Sequence, residues 1–168
     1  MEKRIETALI SVFNKTNLEP LVRELHANGV QLFATGGTLD YIKGLMLPVQ
    51  EVSDITGFPA ILGGRVKTLH PKIFGGILAV RSNPTHQSEV AKHNIPLFDV
   101  VVVDLYPFEE TLRNTADASE IIEKIDIGGV SLIRAAAKNY RDVVVIPATQ
   151  YYEPFLETYR NKQGYFSE

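Results

Sequence analysis

The sequence predicts an α/β fold, a single three-layer domain in which a central, mainly parallel sheet is flanked by helices. Three observations lead there. Strand-like and helix-like segments alternate from the first residues onward. The run Asp99-Val-Val-Val-Val-Asp104 is wholly apolar between two acids, as suits a parallel strand buried on both faces. Thr35-Gly36-Gly37-Thr38 follows one strand and opens the next helix, the turn that repeats in such folds.

The elements follow in order. Residues 5–12 are rich in β-branched and aliphatic side chains and are expected as a strand. Thr16 to Glu19 has capping-box spacing, and Leu18, Leu21, Val22 and Leu25 then form one helical stripe that Gly29 ends. A second strand covers 30–34, a short helix 39–45, and a third strand lies near 49–52. Residues 53–76 show no clean period and are expected as a glycine-rich loop of functional character. A strand at 76–80 and a polar helix at 85–93 precede the tetravaline strand. Helices near 118–124 and 129–139, a strand at 142–147 and a helix near 152–160 close the reading. No repeat, low-complexity tract or linker interrupts residues 1–168.

The chain has 168 residues, 45% hydrophobic and 22% charged, a globular balance. It has no cysteine, which excludes disulfides, thiolate nucleophiles and cysteine-ligated metal sites. No apolar run is long enough for a membrane helix and the N-terminus lacks a signal-peptide core, so a cytoplasmic location is expected. The net charge of −3 argues against a nucleic-acid surface. Its distribution is uneven: between Asp54 and Glu89 there is no acid, while Arg65, Lys67, Lys72 and Arg81 fall there with His70 and His86. That bias points to a local site for an anionic ligand.

Four Gly-Gly pairs, at 36–37, 63–64, 75–76 and 128–129, mark backbone that must come close to something. The Thr35–Thr38 turn offers bare amides and two hydroxyls to an anion. Ser11 and Lys15, after the first strand, add a hydroxyl and an ammonium beside it. In the stretch from Gly63 to Lys72, Val66 separates Arg65 from Lys67 so that extended chain puts both cations on one side. Tyr106-Pro107 ends the tetravaline strand, where the ring can pack on a planar ligand, donate a hydrogen bond or cap the core. Asp126 precedes a helix whose far end carries Lys138 and Asn139. It reads either as an N-cap or as an acid sharing proton transfer with that lysine. No histidine pair has metal-ligand spacing, so no metal is expected.

Taken together, Ser11-Val-Phe-Asn-Lys15, Thr35-Gly-Gly-Thr38, Gly63-Gly-Arg-Val-Lys-Thr-Leu-His-Pro71, Leu105-Tyr-Pro-Phe108, Asp126-Ile-Gly-Gly129 and Arg134-Ala-Ala-Ala-Lys-Asn139 resemble a known family. It is the IMP cyclohydrolase domain, methylglyoxal-synthase-like in fold, of the bifunctional purine-biosynthesis formyltransferase/cyclohydrolase. The likeness runs from about residue 8 to 147. It implies dehydrative ring closure of 5-formamidoimidazole-4-carboxamide ribotide (FAICAR) to IMP, with no cofactor. Two other activities share this fold: methylglyoxal synthesis and nucleotide sensing by a regulatory module. The resemblance implies that Ser11, Lys15, Thr35, Gly36, Gly37 and Thr38 cradle the ribose phosphate. Arg65, Thr68, Gly128 and Asn139 would lie close to the substrate. Lys67 would stabilise the oxyanion, Asp126 and Lys138 would handle protons, and Tyr106 would position the reacting groups. A homodimer is expected as in the family. The formyltransferase domain is absent from these residues, which leaves two readings open: a stand-alone enzyme served by a separate formyltransferase, or a domain excised from the bifunctional protein.

Overall fold

The computed structural model describes residues 2–166. Strands β1 (Lys3–Arg4) and β2 (Thr7–Ser11) precede helix α1 (Leu18–Ala27). Then come β3 (Gln31–Ala34), α2 (Gly36–Gly44), β4 (Gln50–Glu51) and α3 (Val52–Thr56). A 3-10 turn at Leu62–Gly64 leads to α4 (Pro71–Leu78) and α5 (Pro84–Lys92). Strand β5 (Val100–Val103) is followed by α6 (Phe108–Asn114), α7 (Ala118–Glu123) and α8 (Gly128–Lys138). Last come β6 (Val144–Ile146), a 3-10 turn at Thr149–Tyr151, α9 (Tyr152–Asn161) and β7 (Tyr165–Phe166).

Five strands form one parallel sheet in the order β4-β3-β2-β5-β6. Strand β2 is central, with Ala8 opposite both Leu32 and Val100. Side chains alternate between the two faces, as the pleat requires. Ala8, Ile10, Val100 and Val102 enter one core with the stripe of α1 and with Tyr152, Phe155, Leu156 and Tyr159 of α9. Leu9, Val101 and Val103 enter the other, against Ile73 and Ile77 of α4 and Leu132 and Ala136 of α8. The three-layer α/β expectation therefore holds. The strand order reverses direction beside β2, which opens a crevice beyond the carboxyl ends of β2, β3 and β5.

Several local expectations need correction. Residues 76–80 are not a strand: 71–78 are helix α4. His70 accepts the Lys72 amide at 3.2 Å and Pro71 takes the first helical position, which is how such a helix starts. Its Gly-Gly pair hides the helical period, and Gly76 is there for packing. A Cβ at that point would lie 2.0 Å from the Pro96 carbonyl oxygen. The irregular middle holds helix α3 as well. Helix α2 starts at Gly36 rather than residue 39, so the Gly-Gly pair forms its first turn. The capping box at Thr16 does not form: Asn17 is the N-cap, in a left-handed conformation with no side-chain bond, and Glu19 pairs with Arg23 at 2.8 Å. Helix α6, and the short β1 and β7 that pair antiparallel, are additional elements.

At the opposite, amino edge of the sheet lies a buried carboxylate. Asp99 is 5% exposed and accepts from the Glu6 and Thr7 amides and the Thr7 hydroxyl, at 2.8, 2.8 and 2.9 Å. Lys3 and Arg81 bind its other oxygen at 2.9 and 2.7 Å. Burial pushes the Asp99 carboxyl up, yet Lys3, the Glu6 amide and Arg81 outweigh it and hold it below the usual range. Lys3 has fewer compensating partners, and burial keeps its ammonium below the ordinary lysine value.

Candidate active site

The crevice at the carboxyl edge is a cavity of about 610 Å³. The loops after β2, β3 and β5 build its floor, and the 62–68 and 122–129 segments build its sides. Of the residues expected at a site, Ser11, Lys15, Thr35, Gly37, Thr38, Arg65, Lys67, Thr68, Tyr106, Asp126 and Gly128 line it. Gly36 is adjacent, with φ +54°, and a Cβ placed on it would lie 3.5 Å from the Lys67 ammonium. The corresponding point on Gly37 is 3.9 Å from the Lys15 ammonium. Two cations thus flank the first turn of α2, whose free amides and positive helix end face the same space. The strand-to-helix geometry of the doubly wound fold delivers this arrangement from four consecutive residues.

Thr38 does not cap its own helix. Its buried hydroxyl accepts from the Val12 amide at 3.0 Å and donates to the Val12 carbonyl at 2.9 Å, tying the β2 loop to the β3 loop. Replacing Thr38 with valine leaves a buried amide without a partner and should cost about 1–3 kcal/mol, read as a lowered urea midpoint. An unchanged midpoint would show that the tie contributes nothing. Asp104 holds the same loop from the other side, its carboxylate accepting from the Phe13 and Asn14 amides, the latter at 2.9 Å. Lys15 completes the clamp by donating to the Val12 and Phe13 carbonyls. Burial lowers the pKa of Lys15. The Asp104 charge pulls it back up, and the Lys67 charge pushes it further down.

The other wall is acidic and amide-rich. Asp126 Oδ1 accepts from the Gly129 amide at 2.6 Å and the Val130 amide at 3.3 Å, leaving Oδ2 outside these bonds. The capping role and the place in the cavity therefore coexist. A Cβ on Gly129 would lie 2.8 Å from that carboxylate, and one on Gly128 would lie 3.1 Å from the buried Thr68 hydroxyl. Arg65 forms an exposed ion pair with Glu123 across the mouth; the Glu123 hydrogen bond raises its pKa, as Arg65 lowers that of Glu123. Tyr106 lines the cavity and belongs to neither core cluster, so it does not cap the core.

Two expected residues lie elsewhere. Lys138 is exposed at the last turn of α8, a helix whose first turn meets the cavity, so the two ends are roughly 15 Å apart. Within one chain it does not join Asp126. Asn139 is buried behind that turn and donates to the carbonyls of Ile77 and Ala79 at 2.8 and 3.1 Å, which fastens α8 to α4. Of the basic stretch, only Arg65 and Lys67 reach the cavity; Lys72 donates to the Ile55 carbonyl and Arg81 serves Asp99. Residues not singled out in the sequence also line it: Phe13, Asp104, Ile122, Glu123, Ile125 and Ile127. Asp104 and Phe13 could have been found by the rule that ligands sit beyond the strands' carboxyl ends. Among the described residues no group of three metal-ligating side chains lies together, and no helix is long and apolar enough to cross a membrane.

The profile of the MGS-like domain family matches residues 17–131. The chain belongs to the MGS-like family. Over 155 residues it is 52% identical to the bifunctional purine biosynthesis protein PurH of Bacteroides thetaiotaomicron, covering 92% of this chain and 31% of that protein. Over 154 residues it is 51% identical to PurH of Acetivibrio thermocellus, covering 91% and 30%. This MGS-like chain thus spans about 30% of the length of the curated relatives it matches. Among solved structures it is similar to one titled "Crystal structure of ForH", at 32% identity and a TM-score of 0.82, covering 95% of this chain and 80% of that one. The resemblance drawn from the motifs and the expected fold are both upheld.

Proposed function

We propose that this MGS-like chain is an IMP cyclohydrolase that closes FAICAR to IMP with loss of water. One observation carries the reading. A single cavity unites an anion-binding turn and Lys15 with Lys67, Thr68, Tyr106 and Asp126, more machinery than phosphate binding requires. The similarity to bifunctional PurH supports it.

The reaction joins two groups already on one ring, so positioning and charge stabilisation suffice. The phosphate sits on the Gly36–Thr38 amides beside Lys15, which brings the imidazole toward Lys67, Tyr106 and Asp126. The carboxamide nitrogen attacks the formyl carbon and forms the new C–N bond. Asp126, through the oxygen its cap leaves uncommitted, takes the proton that nitrogen gives up. Negative charge gathers on the formyl oxygen, and the Lys67 ammonium, on its flexible stem, stabilises it there. That oxygen takes the proton back from Asp126, and it leaves as water when the C–O bond breaks, the formamido N–H giving up the second proton as the ring C=N bond forms. With Lys138 at the far end of α8, proton handling inside one chain's cavity falls to Asp126.

The test is direct. The purified chain, mixed with FAICAR without added metal or cofactor, should turn over to IMP, followed by ultraviolet absorbance. Tight IMP binding without turnover would instead favour a nucleotide-sensing module. Methylglyoxal from dihydroxyacetone phosphate would favour the third activity of the fold.

A further inference from the structure

Phe13 lines the cavity and is nevertheless 48% exposed. Its backbone is fixed on both sides. Thr38 holds the preceding Val12 through both its amide and its carbonyl, and Asp104 takes the amides of Phe13 and Asn14. Its ring is fixed as well. It stands 5.0 Å from the Tyr106 ring at an interplanar angle of 58°, and the Lys124 ammonium lies over both rings at 5.5 and 5.2 Å. A large apolar ring is thus held in one place beside the anion-binding turn, with about half of its surface open to water. The other exposed apolar groups at the mouth, Ile122, Ile125 and Ile127, offer area but no π face.

We infer that Phe13 is the platform on which the planar heterocycle of the bound nucleotide stacks, and that it gives the site its preference for a ring-bearing ribotide over a bare sugar phosphate. This rests on the reading of the cavity as a FAICAR and IMP site. A nucleotide anchored by its phosphate carries its base one sugar away, and Phe13 immediately follows the loop residue tied to the anion turn. Every heterocycle has a π face, so stacking on an ordered ring favours an aromatic base without naming its polar edges. Those edges are left to Thr68, Tyr106 and Asp126.

The chain has no tryptophan, so Phe13→Trp places its one tryptophan at the platform, to be excited selectively over the seven tyrosines. Calorimetry with the wild-type chain first establishes whether IMP binds. IMP should then quench the new tryptophan, whereas ribose 5-phosphate should bind without quenching. Phe13→Leu keeps the apolar bulk and removes the π face. It should weaken IMP about ten-fold and leave the ribose 5-phosphate affinity unchanged. IMP binding with no quenching would overturn the platform while sparing the nucleotide reading. So would a Phe13→Leu loss shared equally by both ligands, which would make Phe13 a support for the cradle loop. No IMP binding to the wild type would remove both.

Discussion

Lys67→Ala should lower the turnover of FAICAR about a hundred- to a thousand-fold, the loss typical of removing one preorganised donor to a developing oxyanion. The side chain is half-buried and enters neither core cluster, so stability should barely move. The informative measurement is the split between kcat and KM. Lys67 borders Gly36, where it can also hold the phosphate. A fall in kcat with KM little changed assigns it to the transition state. A large rise in KM with kcat retained would assign it to the phosphate and overturn the oxyanion role. In that case Lys15 and Lys67 act as a pair on one anion, and the chemistry rests on Asp126 and positioning.

Asp99→Ala should be the most damaging change outside the cavity, about 3–5 kcal/mol, because it leaves Lys3 and Arg81 facing a hole at a buried position. Guanidinium unfolding would measure it. The same carboxylate gives a pH signature. Its pKa in the folded chain is lowered, so its contribution is fully present above the ordinary carboxylate value of about 4 and is lost as pH falls through the lowered folded value. The wild type should therefore lose stability in acid more steeply than Asp99→Asn. Parallel acid slopes for the two proteins would show that Asp99 is not the group that sets this dependence.

Much of the architecture was legible because burial writes a period into the chain. The stripe Leu18, Leu21, Val22 and Leu25 is fully buried, and so is the tetravaline strand. Helices α6 and α7 have no buried residue, so α6 left no stripe to read. Helix α4 was misread because Gly-Gly breaks its apolar pattern at the point where close approach to Pro96 demands it. The candidate site was legible through its motifs, since short loops after parallel strands keep sequence neighbours together. Lys138 and Asn139 show the limit of that logic. They sit in one motif with the helix that begins at Gly128, but eleven helical residues carry them away from the cavity. Asp104 and Phe13 were passed over for the opposite reason. Asp104 bounds the tetravaline strand and Phe13 lies inside the Ser11–Lys15 motif, and only their meeting across β2 and β5 gives them a role.

That meeting has a consequence for how the protein is made. Thr7 and Asp99, bonded at the edge of the central strand pair, are 92 residues apart in the chain. As the polypeptide emerges, β2, β3 and the turn at Gly36 exist long before β5 does. Until then β2 has an open edge, and the loop bearing Phe13 and Lys15 lacks its Asp104 clamp. Closing so long a loop is slow, and it completes the sheet and the cavity in the same step. Any ligand that spans the cavity meets its complete site only once β5 has docked. Such a ligand acts as a latch on the finished domain, drawing the last equilibrium toward the folded chain.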